Sequence, residues 1–119
     1  MDRNNKACKA YWQSFYYANI KESDINIKEN EKIVLECKTC WCYNFALNIP
    51  GADIKAHEKV ILELKDPDYS CWFAEDIPGA NIEEHFKVIY NSGDKKWLNY
   101  FIKKVNYKNT KVEEWLLYI

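Results

Sequence analysis

Phe45-Ala-Leu-Asn-Ile-Pro-Gly-Ala-Asp-Ile54 returns 28 residues later as Phe73-Ala-Glu-Asp-Ile-Pro-Gly-Ala-Asn-Ile82, with seven of the ten positions identical. A repeated block decides architecture ahead of local propensity, because each copy is a unit that buries its apolar side against its neighbours. The match runs past the block, since His57, Val60 and Ile61 return as His85, Val88 and Ile89. Upstream, Ile27-Lys-Glu-Asn-Glu-Lys-Ile-Val-Leu-Glu-Cys-Lys38 matches Ile54-Lys-Ala-His-Glu-Lys-Val-Ile-Leu-Glu-Leu-Lys65 at an offset of 27, and Tyr17-Ala18 stands where Phe45-Ala46 does. Downstream, Trp97, Phe101 and Val105 follow Tyr69, Phe73 and Ile77 by 28, while Leu116 and Leu117 follow Val88 and Ile89. Two clear copies are flanked by two degenerate ones, with approximate bounds 8–36, 37–64, 65–92 and 93–119.

Each copy reads as two short helices. In the third, Asp66 is a natural N-cap and Pro67 fits the first helical position, where no N–H is needed. Tyr69, Trp72, Phe73 and Ile77 then share one helical face, and Pro78-Gly79 breaks the helix. Asn81 caps a second helix whose apolar stripe is Ile82, His85, Val88 and Ile89, ending near Ser92-Gly93. Asp53 does the same capping one copy earlier. Two ten-residue helices cannot bury both stripes alone, so the expected fold is all-α, a short solenoid-like stack of about four two-helix repeats in a single domain, 1–119. The repeat resembles one found in uncharacterised clostridial and phage-type proteins, with a core like F-A-x-x-[IV]-x-G-A-[DN]-I. That resemblance covers most of Ile27 to Ile89 and implies the architecture. It carries no activity.

Composition narrows the function classes. A chain of 119 residues with 48% hydrophobic and 29% charged residues is long enough for one core, and no apolar run approaches the roughly 18 residues that span a bilayer. The start, MDRNNKACKAYWQSFYYANI, has no apolar signal region, so a cytoplasmic protein is expected, its five cysteines reduced. A net charge of −1, with Arg3 the single arginine, argues against sequence-specific nucleic-acid binding. The Lys-, Asn-, Ile- and Tyr-rich usage is similar to that of low-GC bacteria and their phages.

Candidate chemistry is sparse. Cys37-Lys-Thr-Cys40-Trp-Cys42 supplies half of a zinc or redox motif, but no second half follows, and Cys37 takes the slot of Leu64, which reads as core. Small buried hydrophobes, no metal and no cofactor are the expectation. His57 and His85 share one repeat slot on an apolar stripe, where an imidazole packs at the core edge and hydrogen-bonds across a turn; a metal or pH-sensing pair is the alternative. There is no phosphate-cradling glycine loop and no G-x-S-x-G motif, so a Cys71 dyad with His57 or His85 is the one enzymatic arrangement left, and nothing activates it. No catalytic residue is assigned.

What remains is surface. Asp66, Asp68, Glu75, Asp76, Glu83 and Glu84 lie in a stretch without Lys or Arg, whereas six lysines face three acids from Asp94 onward. Aromatics stand where another copy is polar: Phe86 for Glu58, Trp115 for Lys87, Trp72 for Asn44. Those slots are expected near the surface, with Tyr90 and Tyr118 extending them. The expected partner-binding set is therefore Trp72, Glu75, Asp76, Glu83, Glu84, Phe86, Tyr90 and Trp115. The reading is a non-catalytic module that binds a host protein or ribonucleoprotein complex, most concretely a phage or mobile-element inhibitor of host defence such as an anti-CRISPR. The alternatives are a self-assembling repeat or homodimer joined through Trp115 and Ile119, and a Cys/His-dependent enzyme.

Overall fold

A computed structural model of the chain describes residues 2–19 and 24–105. Among these the regular structure is entirely helical: α1 (Arg3–Asn19), α2 (Asp24–Cys37), α3 (Trp41–Asn48), α4 (Ile54–Leu64), α5 (Pro67–Asp76), α6 (Ile82–Ser92) and α7 (Lys95–Val105). No described helix is long and apolar enough to cross a membrane. The chain divides into two compact units, Met1–Leu64 and Lys65–Ile119.

The two clear copies fold alike. α3–α4 and α5–α6 begin their second helices and end both helices 28 residues apart, and the turns between the helices share one geometry. Ile49 and Ile77 leave the helix in an extended conformation (ψ 115 in both), and each donates its N–H to a phenylalanine carbonyl four residues back, Phe45 or Phe73. Ala52 and Ala80 close the turn onto Ile49 and Ile77 through their N–H groups. The third position of each turn takes positive φ, which Gly51 (77°) and Gly79 (82°) adopt without a side-chain penalty. The caps fall where polar side chains precede apolar stripes: Asp53, Asp66, Asn81 and Asp94 accept the N–H of Ala56, Asp68, Glu84 and Trp97 at 2.9–3.2 Å.

The second helix of three successive copies ends the same way. Lys38 (φ 53°), Lys65 (φ 54°) and Gly93 (φ 77°) occupy equivalent positions just past α2, α4 and α6, all in the left-handed conformation. Only the third copy has the residue that favours it. The first copy departs from the expected ten-residue helices. α1 runs 17 residues from Arg3, and its buried face of Ala7, Ala10, Tyr11 and Ser14 packs on α2 and α3. Nothing like the Pro-Gly break occurs in its sequence to interrupt it.

In the second unit, α5, α6 and α7 pack on one another around Cys71, Ala74, Phe86, Ile89, Leu98, Phe101 and Ile102. In the first, the largest side chains that are completely buried are Phe45, Ile61, His57, Val34 and Cys42.

Candidate functional site

The repeat histidines lie inside the fold and not at its edge. His57 and His85 are both 0% exposed. Each ring stacks on the repeat phenylalanine of its own copy: His57 on Phe45 at 4.9 Å, and His85 on Phe73 at 5.3 Å between ring centroids. His57 Nε2 lies 2.9 Å from Glu31 Oε2, and the same oxygen accepts the Asp53 N–H at 2.7 Å, so one carboxylate ties α2 to the start of α4. Burial pushes the Glu31 carboxyl up, but the hydrogen bonds from His57 and Asp53 and the nearby charges of His57 and Lys28 outweigh it and hold the group below the usual value. The shared slot packs a ring in both copies, and at His57 it also braces α2 against α4.

Three of the five cysteines, Cys37, Cys42 and Cys71, are buried in the packing as well. Cys37 closes α2 and is buried, and Cys42 Sγ is buried 3.8 Å from the Val34 carbonyl. Burial, with Cys37, Cys40 and Glu31 nearby, pushes the Cys42 thiol up to about 12. Cys71 lies in the second core, and burial with the acids Glu75, Asp76 and Asp68 pushes it to about 12 as well. Both are protonated at neutral pH, the opposite of an activated nucleophile. Among the described residues no three His, Cys, Asp or Glu groups converge where a metal ion could sit.

The surface around α5 and α7 is aromatic and acidic. Tyr69 meets Trp72 edge to face at 5.2 Å, Trp72 meets Trp97 at 5.7 Å, and Trp97 meets Tyr100 at 5.4 Å, each pair within a few degrees of perpendicular. The four rings form a ladder that stays partly open to solvent, with Tyr100 37% exposed. Tyr100 Oη donates to Glu75 Oε2 at 3.0 Å, and Lys104 Nζ sits 5.6 Å from the Tyr100 ring centre. Asp68 and the exposed Asp76 complete the acidic edge. Burial, then repulsion from Asp66 and Asp94, raises the Asp68 carboxyl above its usual value.

Of the sequence-predicted set, Trp72 and Glu75 come together on this face, with Asp76 at the end of the same helix. Glu83 and Glu84 occupy the first turn of α6, where carboxylates face the positive end of the helix dipole. Tyr90 is 41% exposed and stacks on Phe86 at 5.9 Å. Phe86 itself corrects the surface expectation: it is 5% exposed and belongs to the core with Phe101, 6.3 Å away. The inference from Glu58 failed because Glu58 is itself buried, 3% exposed, beside Lys55 Nζ at 3.3 Å. A polar residue in one copy did not mark an exposed slot. Trp115, Tyr118 and Ile119 lie outside the described residues.

Sequence reasoning missed Trp97 and Tyr100 as surface, and missed the exposed side of α1. Trp12 and Tyr16, one turn apart on α1, are 54% and 61% exposed, the most open large hydrophobics among the described residues. Periodicity held the signal. With Ala7, Ala10, Tyr11 and Ser14 fixing the buried stripe, Trp12 and Tyr16 fall off it. No family model matches this chain, and neither curated proteins nor solved structures match it significantly.

Proposed function

We propose that this chain is a non-catalytic protein-binding module that docks through the α5–α7 face of its second unit. The observation that carries the reading is the four-ring ladder Tyr69–Trp72–Trp97–Tyr100, partly open to solvent and bordered by Asp68, Glu75 and Asp76. Interlocked rings offer large contact area at little entropic cost, the property that enriches Trp and Tyr at binding hot spots. α5 with its cap carries four carboxylates and no base, so the fitting partner presents lysine or arginine there. Two buried thiols held protonated support a non-catalytic role.

The finer reading, an inhibitor that binds a host defence complex, rests on the repeat resemblance. Affinity capture from a low-GC bacterial lysate containing CRISPR effector complexes tests both levels. The expected result is a stoichiometric partner that Trp72→Ala with Glu75→Lys releases while the circular dichroism spectrum stays helical and the melt stays cooperative. A partner retained by that double variant would reject this face.

The exposed Trp12–Tyr16 pair favours a second reading, self-association through α1. Sedimentation equilibrium decides it: a dimer dissociated by Trp12→Lys would support self-assembly, and a monomer would exclude it.

A further inference from the structure

We propose that the groove between α1 and α2 binds a phosphomonoester, a small molecule with one phosphate dianion and an apolar body. The groove, about 520 Å3, is lined by Lys6, Lys9, Ala10 and Gln13 from α1 and by Asn30 and Ile33 from α2. That volume lies within the range of small-molecule sites. Its polar lining consists of two ammonium groups and two carboxamides. No carboxylate lines it, and neither Lys6 nor Lys9 forms an ion pair with a described residue.

Asn30 is the second observation. It is 9% exposed, and its carboxamide makes no hydrogen bond to a described residue. The residue is nine-tenths buried and lines the groove, where a ligand oxygen can accept from its carboxamide. The repeat shows how unusual this is. Asn30 occupies the slot of His57 and His85, whose rings pack on Phe45 and Phe73. Where two copies hold a ring engaged with its neighbours, the first holds a shorter amide at the side of an open groove.

The chemistry selects phosphate over carboxylate. Lysine ammonium groups are point charges suited to phosphate, whereas planar carboxylate is matched by the arginine fork, and Arg3 is not in the lining. Lys6, Lys9 and Gln13 follow one another at helical spacings of three and four, so their head groups can converge on one anion. Two ammonium charges match a dianion, and the Gln13 and Asn30 amides donate to the remaining oxygens. Ala10 and Ile33 provide an apolar floor for the body of the ligand.

The test uses the full chain labelled with 15N and titrated with phenyl phosphate, read at the side-chain amide resonances of Asn30 and Gln13. Saturable shifts are expected, weakened by roughly tenfold or more in Lys6→Gln/Lys9→Gln and in Asn30→His, the residue of the other copies. Benzoate, with the same ring and a carboxylate, is expected to bind correspondingly more weakly. Unmoved resonances, equal binding of benzoate, or wild-type binding by the double lysine variant would overturn the proposal. So would a DNA oligonucleotide that moves these resonances where phenyl phosphate does not. Both lysines are solvent-exposed, so the double variant keeps the test decisive even where Asn30→His fails to fold.

Discussion

The α3–α4 and α5–α6 pairs share a turn, a ring stack and helix ends in register, yet they differ in what the frame carries. The second slot of the stripe is Glu58 beside Lys55 in one copy and Phe86 against Phe101 in the other. The outer slot is Asn44 in one and Trp72, in contact with Trp97, in the other. The frame residues, Phe, His, Pro-Gly and the capping Asp or Asn, bury or complete the backbone, so they tolerate little change. The remaining slots are free to diverge, and candidate function is found there.

The largest expected effect comes from forcing one copy's solution onto the other. Phe86→Glu removes a core ring and buries a carboxylate, and the position equivalent to Lys55 is Glu83, so no lysine answers it. A loss of about 5 kcal/mol in urea unfolding is expected, with partial recovery on adding Glu83→Lys. Recovery in the absence of that lysine would break the comparison. Phe45→Ala and Phe73→Ala, each removing a fully buried ring that stacks on a histidine, should each cost about 3–5 kcal/mol. Closely similar losses would sharpen the comparison, and a much smaller loss at either site would show that the stacks are not equivalent.

Glu31 supplies a smaller, pH-dependent effect. Its carboxyl titrates below the ordinary value when folded, so its stabilisation is present above the ordinary carboxylate range and is lost as the pH falls through the depressed value. Glu31→Gln should cost about 2 kcal/mol at neutral pH and flatten the acid limb of a urea-midpoint series. An unchanged acid limb would show that the brace to His57 and Asp53 contributes nothing. Smallest are the helix ends. Lys65→Gly should gain about 1 kcal/mol by relieving a left-handed lysine, and Gly93→Ala should lose about as much, both read from thermal melts.

Much of the frame was legible because repetition multiplies weak signals. Pro-Gly turns, Asp and Asn caps and a phenylalanine every 28 residues are local features, and each turned up at its expected place. The site was less legible because exposure depends on packing between helices. Glu58 misled, since burial of a charge beside Lys55 leaves no mark on periodicity. Trp97 read as an ordinary member of the apolar stripe, and only its perpendicular contact with Trp72 places it in the surface ladder. Trp12 and Tyr16 were hidden by the length of α1, whose buried stripe had to be located before its exposed face could be.

The most direct test of the central claim is the capture experiment run in parallel with wild-type chain, with Trp72→Ala/Glu75→Lys, and with Trp12→Ala. The account predicts a stoichiometric partner held by wild type and by Trp12→Ala and released by the α5 double variant, all three chains remaining folded. Retention by the double variant, or loss caused by Trp12→Ala alone, would contradict it and move the binding surface to the first unit.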